Sequence, residues 1–232
     1  MVISIVNEKG GSGKTTIAVN LAAMLSKSGD STVLLDADPQ QSTAVFSNAR
    51  SLSEKEPLFT NVGKTGVALS SEIKNLKDKY DSIIIDTGGR DSVEMRKAML
   101  VSDIIIIPTI PSQYDVSVLD VMLDRYAEAK INNENLIAGV LMNRINPNPF
   151  MTQELNNLKE YLEVERQNKG IDDLYIFETA IYERQAYRKA TIEGLSIQEF
   201  CKEDDKALTD FSSFYNELIK MVENKLSKQQ NQ

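Results

Sequence analysis

A glycine-rich loop near the start of the chain constrains the fold more than any other feature of the sequence. An apolar run at residues 2–6 precedes the loop, and Ile17, Leu21 and Leu25 follow it at helical spacing. The loop itself consists of Lys9-Gly10-Gly11-Ser12-Gly13-Lys14-Thr15-Thr16. This order of strand, glycine loop and helix is typical of a phosphate-binding loop, because glycines let backbone N–H groups turn toward an anion at the helix N-terminus. A plain Gly/Ser-rich turn would require the loop and both flanks to coincide by chance.

Two side chains of the loop have chemistry suited to a bound nucleotide. Lys14 supplies a positive charge for phosphates, and Thr15 supplies a hydroxyl ligand for Mg²⁺. The glycine spacing departs from the common pattern G-x-x-x-x-G-K-[ST], since Gly13 lies only three residues after Gly10, and the loop carries a second lysine, Lys9. Taken by itself, Lys9 is also consistent with a solvated loop lysine.

Carboxylates follow two further apolar runs. Asp36 and Asp38 come after the run at residues 32–35, and Asp86 ends the run at residues 82–86. Open α/β sheets form their ligand crevice at the carboxyl ends of the strands, so we expect these acids beside the loop. Asp86 has the form of a carboxylate that holds Mg²⁺ through water, and the glycine pair at 88–89 suits a switch segment. Each acid is alternatively a turn residue or helix cap.

Composition narrows the available chemistry. The 232 residues include no histidine and one cysteine, Cys201, so a histidine base and a cysteine-ligated cluster within one chain are both excluded. The net charge of −8 argues against a uniformly basic surface that coats nucleic acid, although it leaves room for a local basic patch. We expect one α/β domain over residues 1–232, with a mostly parallel sheet flanked by helices and a frayed tail at 228–232.

The loop with its second lysine and the segment Asp-Ala-Asp-Pro-Gln at 36–40 resemble the deviant P-loop ATPases of the ParA/MinD family. The resemblance implies an Mg²⁺-dependent ATPase whose ATP-bound homodimer sandwiches the nucleotides. Lys14 would then act on its own chain's ATP and Lys9 on the partner's. The resemblance also assigns Asp38 to orienting the attacking water. Many relatives have Asp-Thr-Pro-Pro where this chain has Asp-Thr-Gly-Gly.

The same resemblance implies the residues that contact the metal and the base. Thr15, Asp36 and Asp86 would form the binding site of the Mg²⁺. Asn143 follows the predicted strand at 136–142, near the point where P-loop proteins commonly present an asparagine to the base. We therefore consider Asn143 either an adenine contact or an ordinary residue of a strand-end turn.

The segment around residues 178–196 resembles the C-terminal part of small plasmid ParA proteins of the ParF-like group, in which Thr-Ala-Ile, Arg-Gln-x-Tyr and Gly-x-Ser recur. Basic residues near this point contact DNA phosphates in relatives, so Arg184, Arg188 and Lys189 are candidates for DNA binding. On a helix, Arg184 and Arg188 would share a face. A solvated basic face is the alternative interpretation.

The resemblance as a whole implies a plasmid partition ATPase. Its ATP-bound dimer would bind nonspecific DNA or assemble further, and a centromere-binding ParB-like partner would stimulate hydrolysis. The sequence has no signal peptide and no run of 18 apolar residues, so we expect a cytoplasmic protein that associates with the nucleoid when ATP is bound. The polar end of the last predicted helix argues against a membrane anchor. A MinD-like membrane ATPase and an ATP-dependent metabolic ligase on the same scaffold are the alternatives.

Overall fold

A single parallel sheet organises the chain. The computed structural model describes residues 1–148 and 152–230. Within them the strands are β1 Val2–Ile5, β2 Thr32–Asp36, β3 Thr60–Gly63, β4 Ser82–Asp86, β5 Ile104–Thr109, β6 Ile137–Ile145 and β7 Tyr175–Tyr182. All six neighbouring strand pairs are parallel, in the order β3-β2-β4-β1-β5-β6-β7. The predicted α/β fold with a mostly parallel sheet is confirmed.

Helices connect the strands and cover both faces of the sheet. They are α1 Lys14–Lys27, α2 Ser42–Leu52, α3 Leu69–Lys77, α4 Val93–Val101, α5 Gln113–Lys130, α6 Thr152–Asn168, α7 Gln185–Ile192, α8 Ile197–Phe200 and α9 Lys206–Gln230. The chain leaves the first helix at Gly29, whose φ of 109° is in the left-handed region that favours glycine.

The apolar runs are buried on both faces of the sheet. Ile3 and Ile5 of β1 pack with α1 and α9, whereas the neighbouring Val2 packs with α3 on the opposite face. Alternate residues of a strand point to opposite faces, so a strand that is covered on both sides needs apolar residues throughout. This requirement explains why the central strands could be recognised as unbroken apolar runs.

Residues 44–70 show no clear pattern in the sequence, yet they contain most of α2 and all of β3. Val62 is the one larger apolar residue of β3, and all four residues of the strand are half-buried or exposed, because β3 lies at the edge of the sheet. Backbone pairing with β2, from Val33–Thr60 to Asp36–Gly63, defines this strand. Strand β6 extends beyond the predicted 136–142 and includes Asn143, and β7 includes residues 178–182.

The last helix is docked on the core. Phe211, Phe214 and Leu218 of α9 are fully buried, and Lys225 Nζ donates hydrogen bonds to the carbonyls of Asp103 and Asn135 at 2.9 and 2.6 Å. Helix α9 continues to Gln230, so residues 228–230 of the expected frayed tail are helical, while 231–232 lie outside the described residues. Among the residues that the structure describes, no helix combines the length and apolar character needed to cross a membrane.

Candidate functional site

The strand order brings the residues predicted to bind nucleotide and metal together at the carboxyl ends of the central strands. Strands β2, β4 and β1 are neighbours, so the loop after β1 lies beside the carboxylates that end β2 and β4. These segments enclose a cavity of about 750 Å³. Its lining includes the loop residues Gly10, Gly11, Gly13, Lys14, Thr15 and Thr16, together with Asp38, Gly88, Gly89, Arg90 and Arg144.

The loop leads directly into α1, where backbone donors are available for an anion. Gly11 and Gly13 have φ values of 75° and 93°, which glycine adopts without the steric cost of a side chain. Gly13 is the N-cap of α1 and has no side chain that could cap this end of the helix. Among the residues that the structure describes, the N–H groups of the first turn therefore have no side-chain acceptor, an arrangement typical of phosphate sites.

Lys14 is held inside the site. Its side chain is buried, and its Nζ donates a hydrogen bond to the Lys9 carbonyl at 3.0 Å. Burial lowers the Lys14 pKa, while the charges of Asp86 and Asp38 partly offset this shift. The ammonium group thus lies among carboxylates at the edge of the cavity, where a polyphosphate would supply further negative charge.

Asp86 has the environment of a metal ligand. The residue is fully buried, and within residues 1–148 and 152–230 neither carboxylate oxygen accepts a hydrogen bond of normal geometry. Burial raises the pKa of Asp86 to about 7; repulsion from Asp36 and Asp38 adds to the rise, and the Thr15 hydroxyl and Lys14 lower it. A buried carboxylate beside a threonine hydroxyl offers the oxygen ligands that Mg²⁺ prefers, so Asp86 and Thr15 fit the ion.

Asp36 and Asp38 differ in their contacts. Asp36 is buried, and its oxygens accept hydrogen bonds from the Thr43 amide and hydroxyl at 2.9 and 2.7 Å and from the Asp38 amide at 3.0 Å. Asp36 therefore holds the first turn of α2 in place through hydrogen bonds. Its role in binding Mg²⁺ stays a prediction. Asp38 lines the cavity and accepts a hydrogen bond from the Gln40 amide at 2.9 Å.

The glycine pair after Asp86 allows a close approach between two loops. A Cβ atom at position 89 would lie 2.9 Å from the Gly10 Cα and 3.0 Å from its amide nitrogen. A Cβ at position 88 would lie 3.4 Å from an Asp38 carboxylate oxygen, an ordinary contact. The departure from the Asp-Thr-Pro-Pro pattern of many relatives thus coincides with tight packing of residue 89 against the phosphate loop.

Lys9 is the loop lysine that does not line the cavity of its own chain. Its Nζ forms an ion pair with Asp115 Oδ2 at 2.5 Å, and the Ser112 hydroxyl donates to the same carboxylate. Asp115 belongs to the first turn of α5 and is buried. The sequence offered no signal for this pairing, because the two residues lie 106 positions apart.

Asn143 contacts the loop from β6. Its side-chain amide nitrogen donates to the Ser12 carbonyl at 2.6 Å, and a Cβ at position 13 would lie 2.3 Å from this nitrogen. A second cavity of about 480 Å³, bordered by Thr16, Asn143 and Tyr187, adjoins the first and has room for a nucleoside. Adenine contact by Asn143 stays a prediction, although the residue lies within β6 and is not part of a strand-end turn.

The helical arrangement assumed for the basic candidates is wrong for Arg184. This residue is the extended N-cap of α7, so it does not share a helix face with Arg188. Arg184 Nε donates to Asp210 Oδ2 at 2.7 Å, and the guanidinium lies over the Tyr182 ring at 5.2 Å. Arg188 and Lys189 lie within α7 and are exposed. Asp210 is too far along the sequence for local spacing to predict this ion pair.

A glycine loop after the first strand of a parallel sheet, with a buried lysine and carboxylates on the neighbouring strands, defines a nucleotide-binding protein of the P-loop class. The chain belongs to the CobQ/CobB/MinD/ParA nucleotide binding domain family, whose pattern matches residues 3–197. ParA/MinD-type proteins of this family are ATPases. Both the resemblance and the fold expected from it are confirmed.

The matches to two named relatives and to a solved structure each cover most of the chain. Maintenance of carboxysome distribution protein A from Halothiobacillus neapolitanus is 26% identical over 220 residues, which cover 94% of this chain and 95% of the relative. Protein ParA from Rhizobium radiobacter is 28% identical over 191 residues, 80% of each chain. A plasmid partition protein from Borrelia burgdorferi with bound AMPPNP has the same fold, with a TM-score of 0.69, 22% identity, and coverage of 94% of this chain and 98% of that structure.

Proposed function

We propose that the protein is a partition ATPase whose ATP-bound homodimer binds DNA nonspecifically or assembles further. A centromere-binding ParB-like protein would stimulate hydrolysis and release the dimer. The observation that carries this proposal is the position of Lys9. Lys9 belongs to the phosphate loop but does not line its own chain's cavity, so it would reach a nucleotide held by a second copy once its ion pair with Asp115 breaks.

The residues of the cavity divide the chemistry of hydrolysis among them. Lys14 and the loop amides would hold the phosphates, while Asp38 would orient the water that attacks the terminal phosphorus as its bond to ADP breaks. Thr15 and Asp86 would hold Mg²⁺, and Asp36 would be a further residue of the metal site. When bound, Mg²⁺ neutralises charge on the phosphate oxygens. Phosphoryl transfer depends mainly on positioning and charge stabilisation, so the absence of histidine is no obstacle.

DNA binding would use a local basic surface that dimerisation doubles. Arg188 and Lys189 are exposed on α7, and a second copy would contribute the same pair. Arg184 contributes less in our proposal, because Asp210 already neutralises its charge. A net charge of −8 per chain means that phosphate contacts must be confined to such a patch.

The proposal is tested by duplex-DNA binding of the Asp38→Ala variant with ATP, with ADP and without nucleotide, across a salt series. The variant should retain ATP but hydrolyse it slowly, so binding should occur only with ATP and weaken as salt rises. Lys14→Ala is the matched control and should bind DNA in none of the three states. Equal DNA binding in all nucleotide states would contradict the proposal, and ATP-dependent binding to liposomes alone would favour a membrane-positioning role.

The distribution of carboxysomes is the second candidate function, favoured by the near full-length match to the Halothiobacillus protein. We place plasmid partition first because the Thr-Ala-Ile and Arg-Gln-x-Tyr segments resemble the small plasmid proteins. Deleting the gene separates the two. Faster plasmid loss with normal compartment distribution supports the first, whereas clustered carboxysomes with normal plasmid retention support the second.

A further inference from the structure

Two consecutive residues of β6 hold two consecutive carbonyl groups of the phosphate loop. Asn143 Nδ2 donates to the Ser12 carbonyl at 2.6 Å, and Arg144 Nη1 donates to the Gly11 carbonyl at 2.7 Å. Asn143 is buried, whereas the Arg144 side chain is 44% exposed. The end of β6 therefore fixes the orientation of two peptide planes in the loop.

The orientation of these planes decides which backbone groups a bound anion meets. In a trans peptide, the carbonyl and the N–H of the following residue point in opposite directions. Because the Gly11 and Ser12 carbonyls are held toward β6, the N–H groups of Ser12 and Gly13 are turned away from it. Successive N–H groups that converge in this way form an anion-binding concavity, whereas a carbonyl rotated toward the anion would repel it.

Arg144 holds this contact from an unfavourable backbone conformation. Its φ of 54° is in the left-handed region, which is sterically unfavourable for a residue with a side chain. Such conformations persist where surrounding contacts fix them, often at functional sites. The second arm of the guanidinium supplies such a contact, because Nη2 pairs with Glu183 Oε1 at 2.7 Å. Arg144 also borders both cavities, the one at the phosphate loop and its neighbour.

We infer that Arg144 is a positioning residue for the polyphosphate of the nucleotide. Its left-handed backbone aims the guanidinium at Gly11, and the resulting hydrogen bond keeps the loop amides turned toward the phosphates. The inference rests on the proposed nucleotide binding, and it assigns Arg144 to recognition of the di- or triphosphate group, with the base bound by other residues. Glu183 steadies the outer arm of the guanidinium.

The test compares ATP and inorganic tripolyphosphate binding by wild type and Arg144→Gly. Glycine adopts the same φ without strain, so the variant removes the guanidinium and leaves the backbone path intact. Both ligands should bind about tenfold more weakly or worse, by the same factor, since both lose hydrogen bonds from loop amides to charged phosphate oxygens. The loss should persist at about 0.5 M salt, where a simple charge effect between exposed groups is largely screened.

Glu54 provides a matched control for the backbone. It has the same φ of 54° and is exposed, far along the chain from the loop. At either position the glycine variant should melt about 2–4 °C above the alanine variant, because alanine retains the left-handed strain. Only the Arg144 variants should lose ligand affinity.

Unchanged affinity of Arg144→Gly for both ligands would overturn the inference, as would a loss that disappears at high salt. Failure of wild type to bind ATP would remove the proposed function instead, so the two failures are distinguishable. The readout is ligand affinity with melting temperature measured in parallel, which separates a positioning role from general destabilisation.

Discussion

At the scale of single residues, Gly89 determines how closely the segment after β4 approaches the phosphate loop. A methyl group there would meet the Gly10 backbone at 2.9 Å, a distance that real Cβ contacts do not reach. At Gly88 the same methyl would meet the Asp38 side chain at 3.4 Å, which is ordinary van der Waals contact. The neighbouring residues Gly88 and Gly89 therefore differ in whether a side chain can be added without moving the backbone.

We predict that Gly89→Ala lowers the ATPase rate by about 10–100-fold, because displacing one loop by a fraction of an ångström misplaces catalytic groups. Gly88→Ala is the control and should retain activity within about threefold, because no backbone has to move. Steady-state ATP turnover and ATP affinity check both variants. Equal activity of the two would show that the loops do not pack this closely.

The residues of the phosphate loop could be identified from the sequence because their spacing is local. Lys14, Thr15 and the glycines occur within eight positions, and Asp86 ends an apolar run. Asp115 and Arg144 could not be identified, since each acts on the loop from more than 100 residues away. A left-handed arginine in particular has no sequence signature.

At the scale of elements, helix α5 holds the loop lysine through its first turn. Asp115 pairs with Lys9 and also closes the helix N-terminus with Ser112, whose hydroxyl accepts from the Asp115 amide at 3.3 Å. If Lys9 acts on the partner's nucleotide, dimerisation must break one such pair in each chain. The ion pair then favours the monomer.

We predict that Asp115→Asn strengthens ATP-dependent dimerisation about 5–30-fold, taking roughly 0.5–1 kcal/mol for each of two partly exposed pairs. Asparagine retains the shape of the helix cap but removes the charge that holds Lys9. Sedimentation equilibrium of the Asp38→Ala and Asp38→Ala/Asp115→Asn proteins with ATP provides the measurement. An unchanged or weaker dimer would count against release of Lys9 as a step in assembly.

Glu217 links α9 to β7 at the edge of the sheet. Its carboxylate accepts hydrogen bonds from the amides of Glu178 and Thr179 at 2.8 and 2.9 Å and from the Tyr175 hydroxyl at 3.1 Å. Burial opposes ionisation of this carboxyl, but hydrogen bonds from Thr179, Glu178 and Tyr175 outweigh it and lower the Glu217 pKa below its ordinary value of 4.5. A lowered pKa means that the ionised form stabilises the fold.

We predict that Glu217→Gln lowers the free energy of unfolding by about 0.5–1.5 kcal/mol near neutral pH, because three exposed or part-buried donors lose a charged acceptor. The wild-type advantage is present above pH 4.5 and is lost as the pH falls through the lowered pKa of the folded state. Urea unfolding near neutral pH and well below pH 4.5 checks both parts. A difference between the two proteins that does not shrink in acid would contradict the assignment.

The elements that could be predicted are those whose burial shows in the sequence. The central strands are covered on both faces and appear as apolar runs such as residues 104–107. Strand β3 escaped prediction because backbone pairing at an edge needs no apolar side chains, and Arg184 was misplaced because the start of α7 falls one residue after it. Contacts with residues distant in the sequence fix both features: backbone pairing with β2 defines β3, and the ion pair with Asp210 holds Arg184.

At the scale of the whole molecule, the cavity lies at the carboxyl ends of the central strands. At the opposite ends of the strands, Lys225 of α9 donates a hydrogen bond to the Asp103 carbonyl. Lys9 does not line this cavity, and its ammonium group pairs with Asp115 instead. An acidic chain of net charge −8 has little general affinity for DNA, so a second copy serves two purposes in our account. It brings the missing lysine and doubles the basic surface of α7.

The central claim is that ATP converts this chain from a monomer into a dimer through Lys9. The most direct measurement is the solution mass of the Asp38→Ala protein, by light scattering, with ATP, with ADP and without nucleotide, beside the Asp38→Ala/Lys9→Ala variant. We predict a dimer only for Asp38→Ala with ATP, and a monomer for the double variant although it still binds ATP. A dimer that forms without ATP, or that forms equally well without Lys9, would contradict the account.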